Sequence, residues 1–164
     1  MKHQLLTAII IGSMALLLTA CKTTAVVSSV GLRYEMECAG SGVQGTYLVK
    51  VWAYGNERDI NIDLLKRYAV HGVIFRGYTG KSGCPAQRPM ATSPALEQER
   101  TNFFDPFFNI DKAYNRYASD VGGGFERIRV GNEYKIGAVI SVAKDMLRRD
   151  LEAAGVIRGL ADGF

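Results

Sequence analysis

The chain predicts one α+β domain: a mainly antiparallel sheet of about five strands, with helices packed mostly on one face. Three observations carry that expectation. Residues 32–38 alternate apolar and polar, with Leu32, Tyr34, Met36 and Cys38 on one side and Arg33, Glu35 and Glu37 on the other, the pattern of a half-buried strand. Residues 125–130 and 133–143 flank Gly131-Asn132, a hairpin signal. Between such stretches, residues 60–71 bring Leu64, Leu65, Tyr68 and Ala69 onto one helical face, while Asp63, Lys66 and Arg67 fall away from it.

The N-terminal element is not part of that domain. Lys2 precedes an apolar block over residues 5–18, short of the roughly twenty residues a membrane-spanning helix needs. A positive start, a short apolar middle and small residues at the boundary describe a secretory signal over residues 1–20. The block ends on Leu18-Thr19-Ala20-Cys21, which resembles the lipobox of bacterial lipoproteins: Leu, a small residue, Ala or Gly, then Cys. The resemblance implies cleavage after Ala20, a diacylglyceryl group on the Cys21 thiol and acylation of the new amine. One acyl chain holds a protein marginally and two or three hold it firmly, at about 0.8 kcal/mol per buried methylene. An ordinary secretory signal, or a single anchor containing a cysteine, is the alternative. Residues 21–30 are small, polar and β-branched and read as a lipidated tether. Lys22 stands where, in many lipoproteins, an Asp retains the protein at the inner membrane. The resemblance therefore points to the outer membrane, facing the periplasm.

The domain then runs over residues 31–164. After the strand at 32–38 comes a glycine-rich loop. A second strand follows at 46–54, central because apolar groups lie on both its faces. Asn61 is the expected cap of the 60–71 helix, and Gly72 its expected end. Residues 73–75, Val-Ile-Phe, read as a short buried strand, or as continuing helix. Residues 77–92 hold glycines, prolines and Cys84, a long irregular segment of the kind that is functional or stapled. Ser93-Pro94 opens a helix that Pro106 should break. A shorter helix is expected over 110–119, with Ile110, Tyr114 and Tyr117 on one side. Gly122-Gly123-Gly124 forms a joint before the hairpin, and Asp145 caps a last helix. Small envelope lipoproteins of the flagellar-accessory kind are loosely similar in element order.

Three cysteines leave two once Cys21 is lipidated. In an exported chain Cys38 and Cys84 are expected to pair, and closing so long a loop would contribute about 3–4 kcal/mol. Two free buried thiols, or a metal pair, are the alternatives. A metal site would want a second CxxC or a histidine cluster, and neither accompanies them.

Reactive constellations are scarce. His71 is the single histidine beyond the signal and reads as a histidine near a helix end. No Gly-x-Ser-x-Gly elbow presents a nucleophile. The triple glycine is followed by Phe125-Glu126, where a phosphate loop needs Lys-Ser or Lys-Thr. Glu97 and Glu99 are two apart and diverge on a helix. The net charge of +4 is spread without a basic stripe, which argues against a nucleic-acid surface. No cofactor is implied. The most unusual cluster is Phe103-Phe104-Asp105-Pro106-Phe107-Phe108. Its four rings either fill the core or form a patch for a partner or ligand. Together these residues predict a membrane-anchored, periplasm-facing lipoprotein, a non-enzymatic accessory or scaffold subunit with an envelope protein as partner. The alternative is a lipoprotein that binds or hydrolyses a cell-wall or glycan ligand at residues 77–108.

Overall fold

Alternation over the first expected strand produces β1, Tyr34–Gly40, which pairs antiparallel with β2, Tyr47–Gly55. Tyr34 lies opposite Ala53 and Cys38 opposite Val49. The computed structural model describes residues 32–80 and 83–159, so the expected signal, the expected tether and Cys21 lie outside the described residues.

Asn61 accepts the Leu64 N–H at 2.9 Å and so caps α1, Ile62–Phe75. The expected helix end at Gly72 and strand at residues 73–75 are corrected: α1 continues unbroken through Phe75. It stops where Gly77 takes φ 66°, a left-handed position that favours glycine, and the Val73 and Ile74 carbonyls accept the N–H groups of Met90 and Ala91 at 3.2 and 2.8 Å. Gly72 serves a different purpose. A Cβ there would stand 2.7 Å from Met36 Cε and 3.4 Å from the Tyr34 ring, so its absence lets α1 lie against β1.

The middle of the chain is more broken than its composition predicts. Ser93 Oγ accepts the Ala95 N–H at 3.1 Å, and helix begins only at α2, Leu96–Glu99, followed by α3, Thr101–Asp105. Pro106 does not end the helical run. It opens a π-helical turn, Pro106–Ile110, where the missing N–H costs least. The helix expected over 110–119 is instead a 3₁₀ turn, Ala113–Tyr117, leading straight into β3, Ala118–Asp120.

The hairpin is as expected: β4, Glu126–Val130, and β5, Glu133–Val142, with Gly131 at φ 62°, the sign a primed two-residue turn requires. The last helix is α4, Lys144–Ala153. Asp145 lies in its first turn without capping it, favourable to the dipole but not a cap.

All pairings are antiparallel. The order is β1-β2-β5-β3, with β4 beside β5. The fold is a single α+β domain, with five strands and four helices among the described residues. One face of the sheet presents Val49, Val51, Ile140 and Val142 to Leu65, Ala69 and Val73 of α1 and to Leu147 and Leu151 of α4, all within one buried cluster. Each such side chain is worth about 1.5–3 kcal/mol of burial. Among the described residues no helix is long and apolar enough to cross a membrane.

Candidate functional site

Helical spacing places Tyr68, His71 and Phe75 on one side of α1, turned toward β1 and α2. His71 is 3 % exposed. Its Nδ1 lies 2.6 Å from the Tyr34 hydroxyl and its Nε2 3.2 Å from Glu97 Oε2. One proton arrangement of the neutral ring satisfies both contacts: Tyr34 donates to Nδ1, and Nε2–H donates to the carboxylate. Burial pushes the Tyr34 phenol above its ordinary range, so it stays a donor; the nearby Arg76 charge opposes that only in part. The Tyr34 ring stacks on Tyr68 at 4.7 Å between centroids. Arg76 lies 4.1 Å from that ring and donates to the carbonyls of Tyr34 and Leu32 at 3.2 and 3.1 Å. One strand and two helices are thereby tied through a single imidazole.

An open cleft of about 550 Å³ lies beside this network, lined by Phe75, Arg76, Pro94, Glu97 and Gln98 as well as His71. A guanidinium, a carboxylate, an amide and an aromatic wall could bind a polar ligand there. A proton-transfer role is poorly served. Both imidazole nitrogens are engaged, and Tyr34 is 6 % exposed, which leaves neither as a free base or nucleophile for a reactant. The network holds position.

The opposite face of the sheet is built differently. Pairing places Glu35, Trp52 and Gly137 in one row and Glu37 beside Lys50 in the next. The Trp52 ring lies over Gly137, where a Cβ would come within 2.5 Å of it. Trp52 is 7 % exposed yet stands outside the core cluster. Lysines cover it: Lys50 Nζ at 4.6 Å and Lys135 Nζ at 5.2 Å from the ring, while its N–H donates to Glu37 at 3.0 Å. Lys135 also donates to Glu35 at 2.6 Å. That bond, with a second from Tyr54, holds the Glu35 carboxyl below the usual carboxylate range.

Of the residues singled out from the sequence, Cys38 and Cys84 are brought to disulfide distance, their Cα atoms 6.3 Å apart, at the end of β1. The segment carrying Cys84 is further held by a Tyr78–Gln87 bridge and by the Tyr47 hydroxyl donating to Gln87 at 2.7 Å. Of the two readings of the phenylalanine cluster, core or patch, the core is where most of it lies. Phe104, Phe107 and Phe108 are buried in the core, stacked among themselves and against Tyr114 and Tyr117. Phe103 is half-buried against that cluster. Four aromatic rings bury too much apolar area to be left on the surface of a small domain. Among the described residues no group of three His, Cys, Asp or Glu could hold a metal ion.

Sequence reasoning missed the partnership of His71, because Tyr34 and Glu97 lie 37 and 26 positions away. The available signal was the shared helical face of Tyr68, His71 and Phe75. No family model, curated protein or solved structure matches this chain.

Proposed function

We propose that this chain is a lipid-anchored lipoprotein of the cell envelope, held at the outer membrane through Cys21 and facing the periplasm, where it serves as a non-enzymatic accessory or scaffold subunit. The observation that carries this reading is the face of the sheet that no helix covers among the described residues. Trp52 and Tyr54 sit there among Lys50, Lys135, Glu35 and Glu37: Lys135 pairs with Glu35 and Lys50 with Glu126, while the Trp52 N–H donates to Glu37 and the Tyr54 hydroxyl to Glu35. Half-buried Tyr54 and the lysine side chains laid over the buried Trp52 are what this face offers, an aromatic among satisfied polar groups of the kind found in protein contact surfaces. The polar groups are already directed at one another, which suits docking better than chemistry on a small molecule. The lipid anchor expected at Cys21 agrees with a stationary role.

Two measurements test this. Intact-mass analysis of the membrane-extracted protein should give a chain beginning at Cys21 with added acyl mass; an unmodified chain refutes the anchor. Photo-crosslinking from Tyr54 in living cells should trap a defined envelope protein, and a repeated absence of any adduct refutes the scaffold role.

A second reading rests on the cleft beside Glu97, within the 77–108 region, as a site for a cell-wall or glycan ligand. Its carboxylate, guanidinium and aromatic wall are groups that hold polar polymers. Titration with soluble cell-wall fragments should then perturb Gln98 and Phe75 resonances; unchanged spectra at millimolar fragment remove it.

A further inference from the structure

The two outer edges of the sheet are treated differently. On β1 the outward carbonyls of Leu32 and Tyr34 are occupied by the Arg76 guanidinium, and Cys38 at its far end is tied to Cys84. That edge is closed to further pairing, the usual protection of an edge strand. Among the described residues β4 has no such cover: it pairs there with β5 alone, and all five of its residues are exposed. Because the hairpin turn has two residues, Val130 and Glu133 form a hydrogen-bonded pair, and hydrogen-bonded pairs then alternate along the ladder. Ile128 and Glu126 thus bond inward to β5, while the N–H and C=O of Arg127 and Arg129 point to the open edge. The Val121 N–H bonding to Val139 O, on the same side of β5, agrees with that alternation.

Side chains on this strand sort by face. Ile128 and Val130 stand 48 % and 46 % exposed beside Lys135 on the helix-free face. Arg127 and Arg129 project to the other face, about half exposed in the case of Arg127. Arg127 already holds a carboxylate, Glu57 Oε1, at 2.8 Å. Antiparallel pairing with a second copy of β4, keeping the two sheets in one plane, would set arginine opposite arginine in every register that pairs three or more residues of the strand. Like charges directly opposite one another destabilise a sheet, so the strand is guarded against self-association.

We propose that β4 is a docking strand, which adds to the sheet an extended segment of a partner protein in which acidic residues alternate with apolar ones. The acids meet Arg127 and Arg129, the apolar residues extend the Ile128–Val130 strip, and main-chain bonds supply the pairing. This rests on the scaffold reading above and names the chemistry of the partner for it.

The test uses the full acylated chain in detergent and two labelled seven-residue probes, one alternating Val with Glu and one alternating Val with Lys. Fluorescence anisotropy should show the Glu probe binding at least tenfold more tightly than the Lys probe. Hydrogen exchange at the Arg127 and Arg129 amides should slow on binding. The double variant R127E/R129E should reverse the preference while keeping the wild-type melting temperature within a few degrees, since both side chains are exposed. Absence of binding to millimolar probe, an unreversed preference, or protection away from β4 overturns the proposal. Crosslinkers at Ile128 and at Tyr54 separate the two claims. An adduct from Tyr54 without one from Ile128 sinks the docking strand alone, and none from Tyr54 sinks the scaffold reading and the docking strand that rests on it.

Discussion

At the scale of single residues, His71 is the position where most depends on one atom. Its Nδ1 is buried against the Tyr34 hydroxyl, so Tyr34→Phe removes a donor and leaves a buried acceptor unpaired. That should cost about 1–3 kcal/mol in urea unfolding, with the ring stacking on Tyr68 retained. Gly137 is the second such position. Alanine there would drive a methyl group into the Trp52 indole, a rigid neighbour held between two lysines. Gly137→Ala should destabilise by about 1–3 kcal/mol. Because the chain has one tryptophan, a red-shifted emission would report the ring moving into water. A change in stability with unaltered emission would mean the strain is relieved elsewhere.

At the scale of elements, the Cys38–Cys84 link and the irregular segment it holds form one unit. The two residues are 46 positions apart, so replacing both with serine should lower stability by about 3–4 kcal/mol, if loop entropy dominates. Hydrogen exchange should quicken first around Tyr78 and Gln87, which that link helps to hold in register. α1 shows how an element is decided by its neighbours. Val73-Ile74-Phe75 suits a strand or a helix equally well by composition. The helix prevails because Gly72 lets it approach Met36 and Tyr34 closely, and because Gly77 offers the left-handed residue that closes it. β3 went unread for the opposite reason: three residues are too few to display alternation, and only β5 beside them makes Ala118–Asp120 a strand.

At the scale of the whole molecule, pH acts on stability from both ends. Glu35 is held below the usual carboxylate range by Lys135 and Tyr54. Its contribution is therefore present above the unfolded value, near pH 4, and lost as pH falls through the folded one. Glu35→Gln should lower the melting temperature slightly at neutral pH, by less than about 1 kcal/mol equivalent for so exposed a pair. The difference should fade in acid. At the alkaline end, burial raises the Tyr34 and Tyr68 phenols, and Tyr78 to about 12. Raised acids stabilise the fold fully below their unfolded value, about 10, and that contribution is lost as pH climbs through the folded values. Unfolding and the tyrosinate absorbance of these three rings, isolated by difference spectra against their Tyr→Phe variants, should then coincide above that point; ionisation of these rings well before unfolding would contradict their burial.

Local chemistry alone determined much of this protein. Alternation in β1, the Gly131-Asn132 turn and the Asn61 cap are legible because each depends on neighbours within a few residues. So is the pairing expected of Cys38 with Cys84, which needs only their number and an oxidising setting. Tertiary structure decided the rest. It turned Phe104, Phe107 and Phe108 inward, carried α1 past Gly72, joined His71 to Tyr34 and Glu97, and left β4 open while closing β1. Each of these depends on which surfaces meet across distant parts of the chain. Burial and edge exposure are properties of that meeting, and no window of sequence contains them.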